Sequence, residues 1–265
     1  MARQKSKYSK PFDKKGGGKR RPPRPKPDTD RVLLFGLHAV EAALANPHRP
    51  VYALRATENA AHRLGPLIAE RNVAIERVLP KDLDRQLGAD TVHQGVVLEA
   101  GPLEPVTLDD VDQNGILLVL DQVTDPHNVG AALRSAAAFG ASGLVLTERH
   151  SPPLTGTLAK SASGALDLVP IVHVKNLAQA LAELGERGVL RIGLAEEADA
   201  ALEDTEIARP LALVLGAEGK GLRQLTRERC DLLCRISTAS ALASLNVSNA
   251  VAIALHWARL KANAR

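Results

Sequence analysis

The sequence predicts an α/β protein. Its larger C-terminal part reads as a mostly parallel sheet covered on both faces, and a smaller α/β unit precedes it. Three observations carry this. From residue 115 onward, short unbroken Val/Ile/Leu runs alternate with stretches of helical periodicity, the pattern of strands buried on both sides. Residues 31–101 form a separate, compact cycle of helix and strand signals. Composition also changes twice, after a basic tail over 1–30 and through a Pro- and Asp-containing stretch over 102–114. The 265 residues are 45% apolar, enough for one large domain or two modest ones.

In chain order, "LFGLHAVEAALAN" (34–46) predicts a helix from apolar residues three and four apart. "VYALRA" (51–56) predicts a strand, residues 59–71 a second helix, and 72–78 another strand. "KDLDRQLG" follows as a short helix, and "HQGVVLEA" (93–100) as a strand. After the linker, strands are expected over 116–120, 143–147, 168–172, 190–194, 211–215 and 232–236. Helices are expected over 128–139, 157–163, 177–187 and 222–229, with a last one from about 247 to 262. There is no internal repeat and no heptad pattern.

Charge is divided unevenly. Residues 1–30 carry 11 Lys+Arg and 3 Asp+Glu, while the remaining chain has 23 and 27. The tail therefore carries +8 and the body −4. Too polar to fold alone, the tail suits an electrostatic arm for nucleic acid; a solubilising tail is the alternative. Aromatics are only 2%, so stacking platforms for single-stranded RNA are scarce. No run of roughly 18 apolar residues exists, so no membrane span is expected. The N-terminus lacks the apolar core of a secretory signal. Cys230 and Cys234 are too few for a disulfide framework and too isolated for a zinc site, so no metal and a cytoplasmic location are expected.

Three strand-to-helix junctions carry candidate chemistry. In "LVLDQVTDPHNVGAALRSAAAFG" (118–140), a strand ends at Asp121 and a helix begins near Asn128, which is a candidate N-cap. Arg134 sits among alanines, where one guanidinium could grip a phosphate bidentately; by spacing alone an exposed surface arginine is the commoner case. In "LALVLGAEGKGLRQLTRERCD" (211–231), a strand runs into Gly216, Gly219 and Gly221, a turn that lets backbone approach a ligand. Lys220 is followed by Gly221, so this is no Walker A loop, and no G-x-G-x-x-G follows a strand. Glu218 reads either as a helix-start carboxylate or as a site carboxylate at the edge of a parallel sheet. In "ASLNVSNAVAIALHWARL" (243–260), Ser244, Asn246, Ser248 and Asn249 crowd a helix start that one polar residue would cap.

In this order, Asp125-Pro-His-Asn128-Val-Gly130 with Arg134, then Leu215-Gly216-Ala-Glu218-Gly219-Lys-Gly221-Leu, then Ser244-Leu-Asn246-Val-Ser248 resemble the three motifs of the SpoU (TrmH-type) ribose 2′-O-methyltransferases of the SPOUT superfamily. "FGLHAVEAAL", "HQGVVLEA" and "KSASGALDLVPIVHVKNLAQAL" look similar too, so the resemblance spans roughly residues 31 to 262. The layout is closest to the branch that methylates a guanosine in 23S ribosomal RNA.

The resemblance implies a trefoil-knotted methyltransferase domain over 115–265 and an L30e-like RNA-binding domain over 31–101. It implies a homodimer, S-adenosylmethionine as cofactor, ribosomal RNA as partner, and neither metal nor membrane. It assigns Arg134, Asn128, Glu218, Ser244 and Asn246 to catalysis. Gly193, Leu194, Leu215, Gly216, Gly221, Ile236 and Leu245 would surround the cofactor. Arg134 would bind the phosphate beside the target ribose and has been cast as the base, although an arginine is normally always protonated. The chain departs from the family at Ile236-Ser-Thr-Ala-Ser240, where many relatives have Ile-Pro-Met-x-Gly, at Ala243, usually polar, and at Ser135, usually Thr. A tRNA ribose methyltransferase is the alternative substrate reading, disfavoured by the extra first domain. A non-catalytic RNA-binding assembly protein would be expected to lack Arg134, Glu218 or Asn246. A Rossmann oxidoreductase lacks its glycine fingerprint here.

Overall fold

The computed structural model describes residues 31–112, 114–207, 210–239 and 245–263. The basic tail and the predicted site residue Ser244 lie outside them, as does the end of the 237–240 loop departure.

The first unit is a four-stranded sheet in the order β1 (Val32–Phe35), β4 (Val96–Ala100), β2 (Val51–Ala56), β3 (Ile75–Arg77). Its helices are α1 (Leu37–Ala45), α2 (Glu58–Arg71) and α3 (Pro80–Leu87). β1 corrects the expectation of one helix over 34–46. Leu34 pairs antiparallel with Leu98, and Gly36, at φ 89°, turns the chain before α1 begins. A four-residue apolar run carries no period that separates strand from helix, so the two merged in the sequence.

The second unit is a seven-stranded sheet, every pair parallel. Its order is β7 (Ile171–Val174), β6 (Gly143–Thr147), β5 (Ile116–Asp121), β10 (Leu211–Gly216), β8 (Leu190–Leu194), β11 (Leu232–Arg235), β9 (Ala200–Ala201). The helices are α4 (Pro126–Phe139), α5 (Gly156–Ala162), α6 (Leu177–Glu186), α7 (Gln224–Glu228) and α8 (Val247–Asn263). Alternate residues of β5 serve opposite faces. Ile116, Leu118 and Leu120 pack with α4, α5 and α8, while Leu117 and Val119 pack with α6. This is the two-sided burial that the continuous apolar runs predicted. β7 starts three residues later than expected because Pro170 has no N–H to give a ladder, and Leu168 is left 69% exposed. β9 is two residues long, below the reach of periodicity.

Within residues 102–112 three apolar side chains tie the stretch to the large sheet. Leu108 and Val111 are buried against the α6 face of the large sheet, and Val106 bridges to Val172. Gly156, at the start of α5, lies against β1, where an added Cβ would strike the Phe35 ring. Among the described residues no helix is long and apolar enough to cross a membrane.

A buried ion pair joins the two units. Arg49 Nη1 donates to Asp167 Oδ1 at 3.3 Å, and Asn46 Nδ2 donates to the same oxygen at 3.1 Å. Both charged side chains are almost fully buried, at 1% and 2% exposure. Burial pushes the Asp167 carboxyl up and the Arg49 guanidinium down, and the charge and hydrogen bond of each partner oppose the shift of the other. Removing one partner strands a buried charge. Asp167→Ala is therefore expected to cost about 3–5 kcal/mol in a denaturant titration, whereas the apolar double replacement Arg49→Met with Asp167→Leu recovers most of it.

Candidate active site

All seven strands of the large sheet run in one direction, so their C-terminal ends share one edge. That edge is where open α/β sheets place their ligands. β5 ends there at Asp121, β8 at Leu194, β10 at Gly216 and β11 at Arg235. Three of the loops leaving these ends hold the candidate residues.

α4 begins earlier than the sequence suggested. Its N-cap is Asp125, whose carboxylate accepts from His127 N at 2.8 Å, and Pro126 occupies the first turn, where no N–H is required. Asn128 is thus inside the helix, and its amide is free for another task. Nδ2 of Asn128 donates to Glu218 Oε1 at 2.8 Å. Asn246 Nδ2 donates to the same oxygen at 2.6 Å and to Asn128 Oδ1 at 3.1 Å. Val247 N points at Glu218 Oε1 from 3.4 Å. The three motifs, 90 and 28 residues apart through Glu218, close into one hydrogen-bonded triad. Asn246 also starts α8. Its Oδ1 accepts from Ser248 N at 2.9 Å and Ser248 Oγ at 2.5 Å, an N-cap arrangement.

Glu218 sits in a glycine turn folded onto its own strand. Gly221 N donates to Ala217 O at 2.8 Å, and Gly219 and Gly221 take φ of 73° and 62°. Gly216 has no room for a side chain: an added Cβ would overlap the Gly221 carbonyl and Leu222 N. Between this turn and the ends of β8 and β11 lies a cavity of about 400 Å³, within the range of sites for ligands of nucleoside size. Leu194, Leu215, Gly216, Gly221, Ile236 and Leu245 line it, together with Glu218. Gly193 is not on its wall. It lies behind, where a Cβ would meet Leu222, Cys230 and Leu233 at 2.8–2.9 Å. Burial pushes the Cys230 thiol up to about 12, so it stays neutral there.

Several lining residues carried no signal in the sequence. Glu196 and Glu197, on the loop after β8, and Arg227 and Arg235 edge the cavity. Glu197 is ion-paired with Arg227; its own backbone N–H and that guanidinium hold its carboxyl below the usual range. Ser237, one of the family departures, docks on Glu203, donating from N at 3.2 Å and from Oγ at 3.1 Å.

Arg134 stands apart. It is exposed on α4, and no described residue forms a hydrogen bond or ion pair with it. Asn128 and Arg134 are six residues apart, a separation that sets them about 120° apart around the helix. The structure unites Asn128, Glu218 and Asn246 but does not bring Arg134 into their network. No cluster of three or more metal-ligating side chains occurs among the described residues.

Comparison with known proteins agrees with this architecture. Residues 33–106 match the family described as RNA 2′-O ribose methyltransferase substrate binding. A protein of Photobacterium profundum, 23S rRNA (guanosine-2′-O-)-methyltransferase RlmB, is 40% identical over 234 residues, covering 84% of this chain and 95% of that protein. Its namesake in Ralstonia nicotianae is 42% identical over 231 residues, covering 84% and 93%. The crystal structure of the SpoU methyltransferase AviRb from Streptomyces viridochromogenes, in complex with AdoMet, superposes with a TM-score of 0.75 at 25% identity, covering 88% of this chain and 91% of that one. Residues 115–256, which include the triad and the cavity, match the SpoU rRNA methylase family, and the chain belongs to that family.

Proposed function

We propose that this protein transfers the methyl group of S-adenosylmethionine to the ribose 2′-hydroxyl of a guanosine in 23S ribosomal RNA. The observation that carries the reading is the triad beside the cavity: a carboxylate, Glu218, belongs to both. The relatives of that name match this chain over almost their whole length, which supports the rRNA substrate over tRNA.

The cavity residues fit the cofactor. Its walls mix apolar side chains (Leu194, Leu215, Ile236, Leu245) with glycine backbone at Gly216 and Gly221, and its rim carries both acids and bases. That donor set suits a ligand with an apolar ring, a charged amino-acid end and ribose hydroxyls. Bound there, S-adenosylmethionine supplies an electrophilic methyl group on a sulfonium sulfur. The chain's own residues do the rest. Glu218 fixes the amides of Asn128 and Asn246, which orient the target ribose, and the outside position of Arg134 leaves its charge for an RNA phosphate. Ser244 is assigned a hydroxyl in the same pocket. Phosphate anchoring is the role assigned to Arg134, whose planar guanidinium fork matches a phosphate.

The reading includes a homodimer and a trefoil knot. Ile253 and Leu260, apolar yet 40% and 58% exposed on α8, support a second copy packing there. It also includes a cytoplasmic location, as ribosomal RNA requires, and a basic tail that adds affinity for that RNA. The test is methyl transfer from labelled cofactor to ribosomal RNA, followed by mapping of the modified nucleotide. A single 2′-O-methylguanosine in 23S RNA is expected. Label on a base atom or on tRNA, or no label with the wild-type protein, would overturn the reading.

A further inference from the structure

We propose that Asp121 is a positioning residue for this reaction, a buried carboxylate that stands beside the entry of the glycine turn, holds its exit and so sets the cofactor wall and Glu218. The inference rests on the methyltransferase reading above. Three observations lead to it.

First, Asp121 is buried and fully engaged. Its side chain is 0% exposed. Oδ1 accepts from Arg223 Nε at 2.8 Å and pairs with Nη2 at 2.7 Å. Oδ2 accepts from Thr226 Oγ1 at 2.7 Å and from Arg223 N at 3.2 Å. Thr226 is itself 1% exposed. A carboxylate taken wholly out of water survives only with such a set of donors.

Second, its place in the sheet is specific. Asp121 is the register partner of Gly216 across the β5–β10 pair. Gly216 is where the turn begins, and Arg223 is where it ends at α7. One residue therefore stands beside the entry of the turn and holds its exit. The turn between them carries Glu218 and the backbone of Gly216 and Gly221 that lines the cavity.

Third, Asp121 is on the chain that leads directly into α4, where Asn128 meets Glu218. The clamp and the triad are thus two separate ties between the same two loops. The triad works at the tip of the turn, where it faces the cavity. The clamp works at its base, away from any ligand, which is why Asp121 positions without touching the reacting groups.

The test uses the full chain and three variants. Asp121→Asn keeps the size but replaces one acceptor oxygen with an amide donor, facing donors from Arg223 or Thr226. Thr226→Val removes one donor and keeps the shape; Thr226→Ser keeps the hydroxyl. S-adenosylmethionine binding is measured by calorimetry, RNA binding by gel shift, and turnover by labelled methyl transfer. Asp121→Asn is expected to weaken cofactor binding at least tenfold and lower kcat at least tenfold, with RNA affinity within twofold of wild type. Thr226→Val is expected to weaken cofactor binding three- to tenfold, and Thr226→Ser to recover most of that loss. If Asp121→Asn does not fold, the Thr226 pair decides. Wild-type binding by the variants, or equal losses of cofactor and RNA affinity, overturns the positioning role alone. A wild-type protein that binds no S-adenosylmethionine overturns the proposed activity itself.

Discussion

Arg134→Ala is expected to lower methyl transfer by about a thousandfold while leaving the affinity for S-adenosylmethionine within twofold of wild type. The separation of effects follows from placement. Arg134 is exposed on α4 and is not among the residues that line the cavity, so its loss removes nothing from the cofactor. No described carboxylate neutralises it, in contrast to Arg223, which is spent on Asp121. A guanidinium with no acidic partner among the described residues keeps five fixed donors for a phosphate, the anchoring role proposed for it. In-line methyl transfer depends on how the ribose is held, so loss of the anchor falls on the rate more than on the binding of either substrate. Arg134→Lys, which keeps the charge but not the fork, should recover only part of the rate. Single-turnover rates with mapped RNA, set beside calorimetry with the cofactor, separate the two quantities. Near-normal rates in the alanine variant would remove Arg134 from the chemistry.

What could be read in the sequence, and what could not, follows the range of each signal. β5 and β10 were legible because their short Val/Leu-rich runs are bounded by Gly115 and Pro210 on one side and by polar or glycine turns on the other, and alternate with helical stretches. β1 was not, because four residues do not reveal a period and Gly36 hides the break before α1. The polar excess at Asn246 and Ser248 was visible as an excess. That Asn246 both caps α8 and donates to Glu218 was not, since its partner lies 28 residues away in sequence. Asn128 shows the opposite case. The sequence offered it as a cap, but α4 starts at Pro126 with Asp125 as its cap, which frees the Asn128 amide for the triad. Asp121 was noticed only as the end of a strand. Its partners, Arg223 and Thr226, sit more than 100 residues away, and only the parallel register of β5 with β10 brings them to it. A lone acid closing an apolar strand of a parallel sheet was the one local hint. Arg134 is linked to Asn128 only through the motif: six residues on, helix geometry sets it about 120° around α4, outside the triad's hydrogen bonds.

Gly216→Ala is expected to weaken S-adenosylmethionine binding by about a hundredfold or more and to lower methyl transfer at least as far, in a protein that keeps its overall secondary structure. The new methyl group would overlap the backbone of Gly221 and Leu222, not the end of a flexible side chain. That backbone has little freedom to retreat. Gly221 N is bonded to Ala217 O at 2.8 Å, and Arg223, two residues on, is held to Asp121 through its own N–H and its guanidinium. The turn must open, and opening it moves the wall of the cavity and carries Glu218 away from Asn128 and Asn246. Cofactor binding and ribose positioning therefore fail together, unlike the loss at Arg134. Gly219→Ala gives the contrast. Gly219 takes φ 73° but faces open space, so its substitution meets only the left-handed strain of about 1–2 kcal/mol. Calorimetry on both variants, with far-ultraviolet circular dichroism as the check on folding, reads the difference directly. A large loss at residue 216 with a small one at residue 219 places the close approach of backbone at the root of the turn. Equal losses would mean that the turn needs glycine only for its φ angles.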